Sequence, residues 1–179
     1  MKSKLQAGKY SLIDFSIILD RNYKPNWHHE CIAKALEKVE KGDIKRLIIQ
    51  VPPRNGKSQL ASINFPAWYL GRNPDKEIIT ASYSADLATD FGSKTRDVVN
   101  NEIYKEIFDT RLKRDEQNKA KWRTSQKGSY TSVGVGGPLT GRGANILIID
   151  DPLKNREEAE SETMRKKYGI GILQLLIQG

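Results

Sequence analysis

The chain has 179 residues, 37% hydrophobic and 29% charged, with a formal net charge of +8 and one cysteine. That length supports one domain with a real core. No apolar run approaches the length of a membrane span, and the lone Cys31 excludes an internal disulfide and fits a reduced cytoplasm. The positive balance points to a polyanionic partner, most simply nucleic acid.

Residues 1–10 read as polar and loose, and no secretory signal is visible there. Ser11 to Asp20 is apolar enough for helix or strand. From Trp27 to Lys41, Ile32, Ala33, Leu36 and Val39 recur at helical spacing and Gly42 suits the stop; Cys31 falls inside this helix as a packed residue. Arg46 to Val51 reads as the first strand. Ser58 to Leu70 reads as a helix that Pro66 should kink or split.

Glu77 to Ser82 reads as a second strand, and Ser84 as the N-cap of a helix from Ala85 to about Asn100. Ile103, Ile107 and Phe108 mark a short amphipathic piece. Thr110 to Lys121 reads as a charged surface segment. Trp122 to Thr124 and Tyr130 to Val135 flank Lys127-Gly128 as a hairpin. A glycine-rich loop then feeds the apolar run Ile146 to Ile149, and Asn155 to Tyr168 reads as a very polar helix. Strands alternating with helices imply an α/β fold, a mostly parallel sheet with helices on both faces.

The most informative run is L-I-I-Q-V-P-P-R-N-G-K-S, ending at Ser58. Strand, tight turn, Gly-Lys-Ser and helix together suit the phosphates of a nucleotide. Gly56 lets the backbone come close, Lys57 brings a compact positive charge, and the Ser58 hydroxyl can ligate Mg²⁺. Val51 stands where a full phosphate-loop pattern has glycine. Pro52 and Pro53 have no N–H to give, which leaves the amides of Arg54, Asn55, Gly56, Lys57, Ser58 and Gln59 as donors. The helix N-terminus points at the same place. The run Ile146 to Ile149 ends in Asp150-Asp151, as a buried strand does where its terminal acid holds a metal shell and the next acid polarises water. A strand followed by an Asp-Pro turn is the competing reading of Asp150-Asp151-Pro152, and the Gly-Lys-Ser motif upstream favours the metal-shell reading over it. Both motifs sit at the carboxyl ends of strands, where nucleotides bind in such sheets.

The blocks V-P-P-R-N-G-K-S, F-P-A-W-Y-L-G-R-N-P, I-I-T-A-S-Y-S-A-D-L-A and G-G-P-L-T-G-R-G-A-N-I-L-I-I-D-D-P occur in this order. Over about residues 26–167 the chain resembles the ATPase half of a tailed-phage terminase large subunit, the motor that pumps viral DNA into a capsid. The resemblance implies a P-loop NTPase fold of the ASCE type, with a hairpin before the Walker B strand and a sheet left incomplete at the C-terminus. It implies ATP and Mg²⁺, with Lys57 and Ser58 on the phosphates and metal. Arg54 becomes an expected loop arginine and a catalytic candidate. Asp150 is the metal-shell acid, and Asp151 stands where many terminases carry the catalytic glutamate. Arg142, in T-G-R-G, resembles an arginine offered to a neighbouring subunit's nucleotide; pinning the glycine-rich loop is its other reading. Trp27 and His28 fall in the region that packs around the adenine, with a core tryptophan as the commoner outcome. Tyr83 and Ser84 fall where related motors couple to DNA, a simple strand-to-helix cap explaining Ser84 equally well. The cations at 111–123 are DNA contacts or simply solvated.

Implied partners are double-stranded DNA, portal protein, the small terminase subunit and further copies in a ring, in the cytoplasm of a bacterial host, with no membrane. Residues 1–25 form an N-terminal extension in this reading, 26–167 the ATPase domain and 168–179 an aberrant tail. No acidic cluster for a two-metal nuclease follows Asp151, so no nuclease activity is expected. One back-translation of the tail, shifted in frame, reads W-D-W-Y-T-A-T-A-Y-T-R, which resembles the stretch terminases carry there. A reading-frame slip near Lys166-Lys167 is the resulting expectation, a short expression fragment the other. Two functions compete with the packaging motor: another DNA-dependent ATPase of helicase type, and a binder of nucleotide or DNA without turnover.

Overall fold

The computed structural model describes residues 2–137, 143–154, 156–164, 166 and 169. Three helices come first: α1 (Lys2–Tyr10), α2 (Leu12–Leu19) and α3 (Trp27–Glu40). The residues expected to be loose therefore form α1. Its local sequence is a weak helix former, and tertiary bonds hold it: Trp68 Nε1 donates to the Gly8 carbonyl and Arg72 to that of Lys9. Ser11 caps α2 by accepting from the Asp14 amide, which settles helix over strand for that segment. Leu12 and Phe15 are fully buried in the main core beside Trp68 and Phe108. α3 follows its predicted periodicity, with Ile32, Ala33 and Leu36 buried. Cys31, expected to be packed, is exposed on it.

The helix predicted from Ser58 is divided. Gln59–Asn64 is π-helical, and α4 (Phe65–Arg72) continues from it with Pro66 in its first turn; the Ser62 carbonyl four residues back, which Pro66 has no N–H to serve, accepts from the Thr95 hydroxyl. β1 (Glu77–Ser82), α5 (Ala85–Val99) and α6 (Glu102–Ile107) follow as expected. Ser84 caps α5 through the Leu87 amide, and Ala88, Phe91, Thr95 and Val99 form its buried stripe. β2 (Leu112–Gln117) was expected as surface segment; it is a strand because β3 (Lys121–Thr124) supplies its ladder. β4 (Ser129–Gly134) pairs antiparallel with β3, completing the predicted hairpin. β5 (Ile146–Ile149) and α7 (Arg156–Glu160) end the described elements.

The five strands form one sheet in the order β2-β3-β4-β1-β5. β1 pairs parallel with β4 and β5, while β2–β3 and β3–β4 are antiparallel. The sheet is mixed rather than mostly parallel, since the hairpin at one end enforces antiparallel pairing. α5 lies across β1 and β4. The opposite face carries a smaller cluster, Ile79 and Ala81 with Val133, Leu147 and Ile149 partly buried against them, so the expected helical cover is seen on one face. Residues 46–51, expected as a strand, make no ladder among the described residues. Leu47, Ile49 and Val51 still face the core, while Ile48 between them is 85% exposed. Among the described residues no helix is long and apolar enough to cross a membrane.

Candidate active site

The parallel pairing of β1 and β5 carries the chain at Asp150 to the same sheet end as Ser82. The Asp150 amide donates to the Ala81 carbonyl, and the Tyr83 amide donates to the carbonyl of Asp151. The segment that carries Gly56-Lys57-Ser58 meets these acids. Lys57 Nζ lies 2.8 Å from Asp150 Oδ1 and 3.0 Å from Asp151 Oδ1. The two motifs predicted to meet therefore meet through a shared ion pair.

The two carboxylates differ. Asp150 is 4% exposed, and its second oxygen accepts from the Ser62 hydroxyl at 2.7 Å. Asp151 is 58% exposed and adopts φ 45°, a left-handed conformation that costs a non-glycine residue free energy. Burial pushes the Asp150 carboxyl up. The Lys57 ammonium and the hydroxyls of Ser62 and Ser58 outweigh it and hold the group below its ordinary value. Burial likewise opposes the charge on Lys57, yet the hydrogen bonds and charges of both aspartates raise its pKa.

The loop is held by side chains. Asn55 Nδ2 donates to the carbonyls of Pro52 and Pro53, so the two prolines that offer no amide serve as acceptors. Arg54 is exposed at φ 64°, and Gly56 at φ 72° takes a conformation that favours glycine. Ser58 precedes the π-helical segment, and the exposed Gln59 spends its side-chain amide on Asn64. Such π-helical insertions occur often at functional sites.

Trp27 is 72% exposed at the start of α3, edge-on to His28 at 5.8 Å between ring centroids. His28 Nε2 is buried without a hydrogen-bond partner. Arg142 lies outside the described residues.

Two residues at this site escaped the sequence reading. Ser62 binds the buried acid one helical turn beyond Ser58; its only signal is a hydroxyl on the turn after a phosphate-loop motif. His29 bonds the carbonyl of Asn55 through Nε2 at 3.0 Å. Its signal was the N3 position after the Asn26 cap, where a capping box ordinarily has Glu or Gln.

A family model described as terminase large subunit, T4likevirus-type, N-terminal, matches residues 48–170. No curated protein and no solved structure matches the chain. With more than half of its length inside that match, the chain belongs to the family of T4-like terminase large subunits, in their N-terminal region.

Proposed function

We propose that the chain hydrolyses ATP to drive viral DNA into a procapsid, on a P-loop NTPase fold spanning residues 26–167. Family membership ties it to phage DNA packaging in general. The ATPase reading rests on one observation, the seating of Lys57 Nζ at 2.8 and 3.0 Å from Asp150 and Asp151. A lysine that leaves a glycine turn and faces paired acids at a strand end suits a triphosphate with its metal.

The residues fit Mg²⁺. The Asp150 carboxylate and Ser58 hydroxyl are hard oxygen donors, and Mg²⁺ takes few protein ligands because it keeps several waters. The acid already holds a cation, the Lys57 ammonium. When bound, the metal would neutralise charge on the β- and γ-phosphate oxygens. In this reading Lys57 exchanges its carboxylate partners for phosphate oxygens, and the amides of residues 54–59 supply donors. Asp151, exposed where Asp150 is not, is the acid free to orient a water and take its proton. Arg54 adds a second cation at the loop, and Arg142 supplies the neighbour-directed arginine or the loop pin. The exposed face of Trp27, with His28, suits the adenine. Double-stranded DNA, portal protein, the small subunit and further copies in a ring are the proposed partners, in the host cytoplasm.

Single-turnover hydrolysis of ATP with Mg²⁺ tests the reading. Lys57→Ala is expected to abolish turnover and weaken nucleotide binding. Asp151→Asn is expected to abolish turnover while binding persists. Equal hydrolysis by Lys57→Ala and the parent chain overturns the assignment.

A further inference from the structure

We propose that His29 is a positioning residue that braces the phosphate loop from the start of α3, a role that deepens the nucleotide reading above and rests on it for its functional consequence. Both ring nitrogens are committed. Nδ1 accepts from the Asn26 amide at 3.0 Å, and Nε2 faces the Asn55 carbonyl at 3.0 Å. A carbonyl can only accept and an amide can only donate. The ring is therefore the neutral tautomer with its proton on Nε2, donating to the loop. One side chain thus closes the capping box of α3 and bonds the turn of the phosphate loop.

The contact is steric as well as polar. A Cβ on Gly56 would lie 2.7 Å from His29 Nε2. The glycine that lets the backbone approach phosphate also lets the imidazole approach the backbone. The Tyr23 ring stands edge-on to His29 at 5.6 Å, and the His28 ring lies against it at 3.9 Å, so the imidazole is held between neighbours. Burial and the charge of His28 lower the His29 pKa against the Asn55 hydrogen bond, which favours the neutral form that the two bonds require. Asn55 is the hub: its carbonyl takes the His29 proton, and its side chain ties Pro52 and Pro53. The segment before this turn has no strand ladder among the described residues. His29 thus supplies a fixed point where backbone pairing does not, and pre-organisation of this kind lowers the cost of ordering a loop on binding.

Two substitutions separate the loop role from the helix cap. Asn places its Oδ1 where Nδ1 stands, which keeps the cap and removes the donor to Asn55. Gln places an amide nitrogen at the reach of Nε2, which restores the loop bond, and its side-chain oxygen is the ordinary capping-box acceptor at this position, so it serves as the rescue. The Leu60 amide, which donates to the Gly56 carbonyl of this loop, is expected to exchange hydrogen about tenfold faster in the nucleotide-free His29→Asn chain, while α5 is unchanged and His29→Gln stays near the parent. ADP binding is expected to weaken about tenfold in His29→Asn and to recover in His29→Gln. Unchanged loop exchange in His29→Asn overturns the brace, as does loss that follows melting temperature equally in both variants. Faster loop exchange in a chain whose parent binds no ADP sustains the brace and overturns the nucleotide reading instead.

Discussion

The two flanks of β1 are built by different means. On the β4 flank, six register pairs run from Glu77↔Ser129 to Ser82↔Gly134, under α5. Trp122 and Tyr130 stack there at 5.1 Å and 3°, and Trp122 Nε1 donates to the Gly92 carbonyl. On the β5 flank the ladder is shorter, and the chain beyond it, residues 46–58, is secured by His29, Asn55 and Lys57 rather than by strand pairing. Backbone ladders and aromatic burial make one flank rigid. The other is tied by polar side chains that a charged ligand can compete for. Strand ladders and polar side-chain ties are thus found on opposite sides of one strand.

The largest test of this contrast lies on the rigid flank. Trp122→Ala removes a fully buried indole and its bond to α5, and is expected to cost about 3–5 kcal/mol in denaturant unfolding. The site geometry gives it little room to collapse, because α5 already touches the sheet: a Cβ on Gly92 would sit 3.1 Å from the Tyr130 ring on β4. A loss below about 1 kcal/mol would place the stability elsewhere.

The next test titrates the polar flank. Asp150, facing Lys57, Asp151 and the hydroxyls of Ser58 and Ser62, has its folded pKa held below the ordinary 3.8. The unfolded state therefore binds the proton more readily. Its stabilisation is present above the ordinary value and is lost as pH falls through the folded one. Lys57, raised above its ordinary 10.5, contributes below that value and loses its part as pH rises through the folded pKa. Urea midpoints measured down from neutral pH are expected to fall across the acid window in the parent chain, and to fall less in Asp150→Asn. Parallel curves for the two would detach the ion pair from stability.

The same contrast divides what could be read in the residues. β1, α3 and α5 were legible because their apolar spacing matches the burial they achieve; β5 was legible as a continuous apolar run, but at the sheet's edge its four residues, expected to be buried, are only half-buried. The meeting of Lys57 with Asp150 was legible because the lysine follows a glycine turn and the acid ends an apolar run, although the segment before the lysine forms no ladder among the described residues. β2 was not: L-K-R-D-E-Q has no alternating face, and a partner strand decides its state. α1 was hidden likewise, since its anchors, Trp68 and Arg72, lie far along the chain. Residues 46–51 show the converse error. Their alternation is real, but a strand also needs a neighbour to bond, and alternation carries no information about one. His29 was missed because its two roles depend on which nitrogen faces which partner, and residue type does not encode that.

The smallest effect probes that unpaired segment. Ile48 is 85% exposed, so Ile48→Lys is expected to change stability by no more than about 0.5 kcal/mol. Ile49 packs against the main core, and Ile49→Ala should cost clearly more. The pair of substitutions reads the alternation one residue apart with the same loop behind it. A loss above about 1 kcal/mol for Ile48→Lys would mean that this face is covered in solution. Residues 46–51 would then share in the ordering of the β4 flank, and the turn at residues 52–58 would owe its position to paired backbone more than to His29 and Asn55.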